Sequence, residues 1–328
     1  MSEGAGGPAS QPSPWVAWLR VVLGGLVAAV ALRACAVEAY RIPSNSMERT
    51  LLVGDFVLVS KLAYGPRIAG TRLPGLGRVA CGDVVVFHHP PARGPVGDRP
   101  PYIKRVLGLP GQRVEIERGT VAVDGRPLRP PPESLARYDL TVTDAFSPEG
   151  AGLLGDAQRS GRNRWIVAAT PAEGARLAER PGVVEAEPFL RLERGAAFPR
   201  GRGWAPDAWG PMTVPAAGWT LPLTAATVRD YRSTLERHEG RRLERVAGGW
   251  QLDGERADSV TFRQNYLFAL GDNRADSADS RTWGFVPMSH VIGRAVAVYF
   301  SADAPQAGGP TEIRWHRIGT RVAASCSS

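Results

Sequence analysis

Lysine is almost missing from this basic chain. The 40 lysine and arginine residues of the 328-residue sequence include only two lysines, Lys61 and Lys104. Arginine keeps its proton at any working pH, whereas a buried lysine can become neutral. Each lysine is therefore a candidate for a position where arginine would not serve, with chance retention of a lysine as the competing explanation.

Cysteine is scarce too, and no basic stripe is present. Cys35, Cys81 and Cys326 lie far apart, so they predict neither a disulfide framework nor a metal site, and they leave the redox compartment open. The formal charge of +8 favours an anionic partner. Scattered arginines argue against nucleic acid, and a phospholipid bilayer is the better interpretation. A genome-wide arginine bias explains the charge equally well.

Long uninterrupted apolar runs are missing. Only 12 residues separate Arg20 from Arg33, whereas a helix that spans a membrane needs about 20. Counting residues 15–37 gives 23, because both arginines can extend toward lipid head groups and aromatic residues stand at both ends. The arginines nearly balance, so charge predicts no orientation.

Three interpretations of this segment compete. Ala34-Cys35-Ala36 resembles a signal-peptide cleavage site after a short apolar core. A lipoprotein signal would end at Cys35, but Arg33 argues against it. We predict an uncleaved transmembrane anchor at residues 15–37.

The remaining sequence is mainly of β type. Short runs of β-branched residues, punctuated by Gly, Pro and Asp, predict strands. Asp124-Gly125 predicts a hairpin turn, and "WQLDGERA" at 250–257 predicts a second turn of the same type. The predicted divisions are a disordered N-terminus at 1–14, the anchor at 15–37, a catalytic core in two parts at 38–128 and 249–303, an inserted variable lobe at 129–248, and a loose tail at 304–328. The lobe contains one predicted helix at 224–240. In the tail, "TEIRWHRI" is a candidate edge strand.

Two serines follow the apolar segment directly, in "YRIPSNSMERTL" at residues 40–51. A serine nucleophile, here Ser44 or Ser46, needs a base. None of the histidines that we considered lies in a recognisable catalytic setting; these are His88, His89, His238 and His290. No G-x-S-x-G motif surrounds Ser46, which argues against an α/β-hydrolase.

Lys104 is the better candidate for the base. It lies in "PYIKRVLGLPG", and in a strand it would share a face with Tyr102 and Val106. Burial lowers the pKa of a lysine, and a neutral amine can take the proton of a serine hydroxyl, as in Ser-Lys variants of the catalytic triad. A lysine that merely ends an edge strand is the alternative when this segment is considered alone.

Several blocks of the sequence together resemble type I signal peptidases. They are "IPSNSMERTLLVGDFVLV", "GDVVVF", "YIKRVLGLPG" and "GDNRADSADSRTWGFVP", in the order typical of that family and over about a third of the chain. One departure is visible: Arg49 stands where the family usually has proline. The resemblance implies Ser46 as the nucleophile and Lys104 as the general base.

The same resemblance implies further roles. Ser44 matches the serine whose hydroxyl joins the Ser46 amide in an oxyanion hole, a chemically suitable donor pair. Ser277 matches a serine that hydrogen-bonds the lysine amine, and Asp279 with Arg281 matches a structural ion pair. Asp272 and Asn273 are expected to be turn formers with a structural role. Positions matching the lining of two shallow substrate pockets are Tyr40, Ile42, Met47, Leu51, Val86 and Ile103.

The resemblance implies a mainly β fold with a coiled, barrel-like core. It further implies an endopeptidase that removes signal peptides from exported preproteins after A-x-A-like sites, without a metal or cofactor. Its expected place is the inner (plasma) membrane, crossed once, with the catalytic domain on the extracytoplasmic side. Two alternatives are a self-cleaving repressor protease, disfavoured by the missing helix-turn-helix, and a catalytically idle homologue that serves as an envelope binding module.

Overall fold

The computed structural model describes residues 14–68, 71–153, 157–303 and 312–326. The predicted disorder of the first residues therefore falls outside the described part, apart from Pro14. The helices are α1 Pro14–Cys35, α2 Pro171–Gly174, α3 Ala225–His238 and α4 Ser280–Trp283. The strands are β1 Val37–Arg41, β2 Asp55–Ser60, β3 Arg67–Ile68, β4 Thr71–Arg72, β5 Val84–His88, β6 Pro101–Gly108, β7 Arg113–Glu117, β8 Thr120–Val123, β9 Arg126–Pro127, β10 Ala136–Val142, β11 Gln158–Gly161, β12 Arg164–Ala169, β13 Val183–Pro188, β14 Trp209–Thr213, β15 Thr220–Pro222, β16 Leu243–Val246, β17 Gly249–Leu252, β18 Glu255–Ala257, β19 Ser259–Thr261, β20 Tyr266–Leu270, β21 Val286–Pro287 and β22 Val291–Ser301.

A seven-stranded sheet forms the centre of the fold, in the order β1-β2-β22-β5-β6-β20-β21. The neighbouring strands that pair in it are antiparallel. The mainly β prediction is confirmed. The barrel-like expectation is wrong in one respect: none of the sheets among the described residues closes. The order ends at the edge strands β1 and β21, which do not pair with each other, and β21 has only two residues.

Two tight hairpins have the turns that the sequence predicted. Asp124 and Gly125 join β8 to β9 with φ of 51° and 75°. Asp253 and Gly254 join β17 to β18 with φ of 56° and 93°. Both central residues need a positive φ in this turn, which Asp tolerates and Gly adopts freely.

Helix α3 begins and ends where its capping residues predict. The Thr224 hydroxyl accepts a hydrogen bond from the amide of Thr227 in a capping box, and Gly240 has a φ of 64° after the last turn. The helix buries Val228, Tyr231 and Leu235 in the largest apolar cluster, together with residues of β7, β8 and β20. The division of the chain into a core and an inserted lobe stays a prediction.

The C-terminal segment packs on the central sheet, so the expectation of a loose tail is wrong for residues 312–326. Arg314 and Arg317 form ion pairs with the buried Asp55. The candidate edge strand contributes an isolated bridge between Ile313 and Ala302 and a short 3-10 helix at Trp315–Arg317. Residues 304–311, 327 and 328 lie outside the described part.

A disulfide joins Cys81 to Cys326, so the expectation that the cysteines form no disulfide framework is wrong for this pair. The two residues are 245 positions apart, yet their Cα atoms lie 5.6 Å from each other. Spacing in the sequence held no sign of this contact, because only the folded tail brings Cys326 to the start of β5. Closing so long a loop lowers the entropy of the unfolded chain.

The N-terminal segment forms α1, at nearly the predicted residues. The side chains of Trp15, Trp18 and Leu26 are exposed. Within the described part of the chain, no helix meets the length and apolarity that a membrane crossing requires.

Candidate active site

Ser46 lies in a short, well-anchored loop between β1 and β2. The loop is closed at its neck by hydrogen bonds from the Ile42 amide to the Asp55 carbonyl, 2.8 Å, and from the Gly54 amide to the Ile42 carbonyl, 3.0 Å. Ser46 occupies the middle of a single 3-10 turn, Asn45–Met47. Met47 is completely buried beside it, which fixes the direction of the serine side chain.

Lys104 lies on β6, between β5 and β20 in the central sheet. Its side chain is 2% exposed. The Nζ atom donates hydrogen bonds to Ser46 Oγ at 2.7 Å and to the Ile103 carbonyl at 2.7 Å. It also lies 5.6 Å from the centre of the Tyr102 ring, as expected for residues two apart on one strand face. The fold thus joins two side chains that are 58 positions apart.

The environment of Lys104 favours its neutral form. Burial lowers the pKa of Lys104 to about 8, and the carboxylates of Asp279 and Asp272 oppose that decrease. The ammonium form loses more hydration on burial than the neutral amine. A neutral fraction is consequently available near neutral pH, and its lone pair can accept the Ser46 proton.

The other basic candidates have different surroundings. Lys61 forms an ion pair with Glu38, 2.8 Å between Nζ and Oε2. His290 contacts the guanidinium of Arg99 at 2.9 Å, and His238 packs against its ring. Among the described residues, no histidine hydrogen-bonds Ser46.

Two further serines were expected beside the pair. Ser44 Oγ lies 3.4 Å from Ser46 Oγ at an exposed position. Ser277 Oγ is buried, and within the described part of the chain it makes no hydrogen bond of ordinary geometry, although its proximity to Asp279 helps to lower the pKa of that carboxyl. The expected bond between Ser277 and the Lys104 amine is therefore not formed in this structure. The second acceptor of the amine is instead Ile103, whose carbonyl belongs to the same strand.

Asp279 and Arg281 form a buried bidentate pair behind the site. Arg281 Nε and Nη2 donate to the two Asp279 oxygens at 2.9 and 2.8 Å. Burial would raise the pKa of Asp279, but the charge and hydrogen bonds of Arg281 outweigh it and hold the pKa below its usual range. Asp279 also accepts from the Gly271 amide at 3.2 Å, so the pair braces the strand end that faces Ser46.

Asp272 and Asn273 do more than form a turn. Asp272 is paired bidentately with Arg105 at 2.8 and 2.7 Å and accepts from Thr50 Oγ1 at 2.7 Å. The Asn273 amide donates to the Ser46 carbonyl at 3.2 Å. Sequence reasoning missed Arg105; its place directly after Lys104, on the opposite face of β6, was the available signal.

Gly271 is required by close packing, since it is not among the glycines with positive φ. A Cβ atom there would lie 2.5 Å from the Ser46 carbonyl oxygen and 2.3 Å from Ser277 Oγ.

We expect Gly271→Ala to displace the nucleophile and lower kcat by about 10²-fold, because displacements near 1 Å cost this much. Gly97→Ala is the matched control, because nothing lies within 4 Å of its Cβ position. Wild-type kcat for Gly271→Ala would show that the loop absorbs the methyl group.

The six predicted pocket residues separate into five apolar residues and Tyr40, whose surroundings differ. Ile42, Met47, Leu51 and Ile103 lie in one apolar cluster next to the Ser46 turn. Val86 is buried on β5, directly opposite Ile103 in the strand pairing.

Tyr40 differs from these residues. It lines a cleft of about 400 Å³ together with Glu38, Lys61 and Arg99. Tyr40 therefore lines a separate cleft with both charged and apolar walls and is not part of the apolar cluster beside Ser46.

Comparison with known proteins adds independent information. Residues 15–154 and 222–300 match the family described as signal peptidase, peptidase S26. Signal peptidase I of Pseudomonas aeruginosa is 45% identical over 288 residues, which cover 84% of this chain and 69% of that protein. Signal peptidase I of Aquifex aeolicus is 26% identical over 283 residues, covering 85% and 82%. Signal peptidase I of Buchnera aphidicola from Schizaphis graminum is 25% identical over 290 residues, covering 88% and 76%.

Proposed function

This chain belongs to the signal peptidase family, peptidase S26, and we propose that Ser46 is its nucleophile and Lys104 its general base. It is a serine peptidase that removes signal peptides from preproteins. The observation that carries the assignment of roles is the 2.7 Å hydrogen bond between the buried Lys104 amine and Ser46 Oγ.

The chemistry begins with neutral Lys104. Its lone pair takes the Ser46 proton while Oγ attacks the carbonyl carbon of the scissile bond. The resulting oxyanion accepts hydrogen bonds from the Ser44 hydroxyl and the Ser46 amide, which stabilise charge that exists only in the transition state and intermediate. Lys104 then donates its proton to the leaving amine. A water molecule, deprotonated by Lys104, hydrolyses the acyl-enzyme and restores the Ser46 hydroxyl.

Ser277 is a candidate hydrogen-bond acceptor for Lys104 during proton transfer. A neutral lysine amine has two N–H donors, whereas the ammonium formed after proton transfer has three. In the structure the amine contacts Ser46 Oγ and the Ile103 carbonyl; in the reactive neutral state the Ser46 hydroxyl donates to its lone pair, and after proton transfer both oxygens accept from the ammonium. The buried Ser277 Oγ, which makes no hydrogen bond of ordinary geometry within the described part of the chain, is the candidate acceptor for the third. Ser277 would then orient Lys104 in its charged state.

The ion pairs are structural supports of the site. Asp279 with Arg281 and Asp272 with Arg105 hold the loop that contacts the Ser46 carbonyl. Because both pairs are buried, loss of one partner would leave an uncompensated charge.

Substrate selection follows from the apolar walls beside Ser46. We assign the two shallow pockets to Tyr40, Ile42, Met47, Leu51, Val86 and Ile103. Most of these side chains are buried, so little room is left and small residues such as alanine fit. This supports cleavage after A-x-A-like sites.

The test is cleavage of a preprotein with an A-x-A site by the detergent-solubilised full chain, beside Ser46→Ala. We expect release of the signal peptide by the wild type alone. Equal cleavage by the wild type and Ser46→Ala would exclude Ser46 as the nucleophile. No product from a folded wild type would favour the idle binding module.

We place the protein at the inner membrane, with α1 in the bilayer and the catalytic part on the extracytoplasmic side. Large apolar side chains of α1 are more than half exposed, including Trp15 at 67%, Trp18 at 72% and Leu26 at 60%. Such a surface is unfavourable in water and favourable in lipid. The Cys81–Cys326 disulfide supports an oxidising compartment.

We therefore expect the purified protein to begin near residue 1 and to stay in the membrane fraction after a carbonate wash. Tethering to the bilayer of its substrates raises their effective concentration. N-terminal sequencing that begins at Val37, with activity in the soluble fraction, would exclude a permanent anchor. That outcome would leave the roles of Ser46 and Lys104 unaffected.

A further inference from the structure

A second cavity lies behind the loop that braces Ser46. Its volume is about 230 Å³, and its walls come from β7, β8, β10 and residues 188–190, with Arg274, Ala275 and Arg281 on the side of that loop. Arg274 directly follows Asn273, whose amide binds the Ser46 carbonyl. The cavity takes no part in the proton transfer between Ser46 and Lys104 or in stabilising the oxyanion.

The cavity combines apolar walls with an excess of positive charge. Apolar side chains in its lining include Ile116, Val121, Leu128, Phe189 and Leu190. Arginines that line it are Arg118, Arg129, Arg137, Arg274 and Arg281. Among the described lining residues, Asp207 is the single carboxylate.

That carboxylate does not neutralise the cavity. Asp207 already contacts Arg281 at 3.4 Å, the Arg191 amide at 2.8 Å and the Arg191 side chain at 3.7 Å. Within the described part of the chain, the other four lining arginines form no ion pair; these are Arg118, Arg129, Arg137 and Arg274. Arg274 Nε is also buried and has no hydrogen-bond partner there.

Burial without a partner is costly for a charged group. Desolvation, with the nearby charge of Arg281, lowers the pKa of Arg274 to about 10, and the carboxylates of Asp272 and Asp279 only partly oppose that decrease. An anion placed beside Arg274 would supply the missing acceptor and reverse this penalty. The apolar walls offer few partners for the remaining oxygens of a fully hydrated ion, so they favour a ligand that also has an apolar part.

We propose that this cavity binds a single-chain anionic amphiphile, with its carboxylate or phosphate on the unpaired arginines and its alkyl chain against the apolar wall. Charge and apolar surface thus act on different parts of one ligand. The proposal is independent of the roles of Ser46 and Lys104, since binding requires neither.

Calorimetric titration of the full chain in decyl maltoside tests it. Neutral decyl chains are already in excess there, so binding of added decanoate or decyl phosphate depends on the anionic head. We expect both to bind at one site with submillimolar Kd and inorganic phosphate to bind at least 10-fold more weakly. Equal affinity for inorganic phosphate would overturn the role of the chain.

Two variants locate the site. Arg118→Asn/Arg137→Gln removes two unpaired charges, and Asn suits position 118, where φ is 47°. We expect at least 10-fold weaker binding of decanoate. The control Arg194→Gln/Arg245→Gln makes the same charge change at two exposed arginines and should bind like the wild type. Equal loss in both variants would indicate only a general effect of charge and overturn the assignment.

Leu128→Trp provides a second test that keeps every arginine. It fills the apolar part of the cavity, so decanoate should bind more weakly while cleavage of the preprotein continues. Unchanged decanoate binding by this variant would place the alkyl chain elsewhere and contradict the proposal.

Discussion

Lys104→Arg is expected to keep the fold and to lose essentially all activity, at least about 10⁴-fold in kcat/KM. Arginine retains a positive charge beside Asp279 and Asp272 but cannot be deprotonated. The measurement is preprotein cleavage, with circular dichroism as the control for folding. A variant that keeps more than a few per cent of wild-type turnover would exclude Lys104 as the base.

The pH profile gives the same assignment a second readout. Because burial lowers the pKa of Lys104 to about 8, the neutral fraction falls about tenfold for each pH unit below that value. We expect kcat/KM to fall with the same slope in acid. A profile that is flat between pH 6 and 8 would require a different base.

Stability should show the cost of burying the charge of this lysine. The pKa of Lys104 falls from 10.5 to about 8 on folding, so the unfolded chain binds more protons between these values. Wild-type stability therefore rises with pH in this window, by about 3 kcal/mol, and the full cost is present below pH 8. Lys104→Met should lack this rise. The measurement is the free energy of unfolding of both proteins at pH 8 and 10.5.

Ser44→Ala is expected to lower kcat by roughly 10²–10³-fold with little change in KM, since an oxyanion donor acts on the transition state. The Ser44 hydroxyl lies 3.4 Å from the nucleophile at an exposed position. Its removal should therefore change stability by less than about 0.5 kcal/mol. Steady-state kinetics on the preprotein separate the two parameters.

Ser44→Thr is the matched control, because it keeps a hydroxyl in the same place. It should lose much less activity than the alanine variant. A raised KM with normal kcat in Ser44→Ala would assign this serine to substrate binding instead.

Local features of the fold were predictable from short segments. The turns at Asp124-Gly125 and Asp253-Gly254 form where the sequence places them, because only a few residue types tolerate a positive φ. Helix α3 follows its Thr224 cap. Backbone sterics and capping hydrogen bonds act within a few residues, so turns and helix ends can be predicted from neighbouring residues in the sequence.

The tertiary structure alone decided the contacts between distant residues. The Cys81–Cys326 disulfide, the Arg105–Asp272 pair and the tight packing of Gly271 against Ser46 join segments separated by 167 or more positions. Such contacts depend on strand order and register, which short-range patterns do not specify. The open edge of the central sheet belongs to the same class, because closure depends on how the last strands meet and on no single segment. The bond between Lys104 and Ser46 was expected from a family resemblance; the burial that lowers the lysine pKa arises only when β6 is enclosed between β5 and β20.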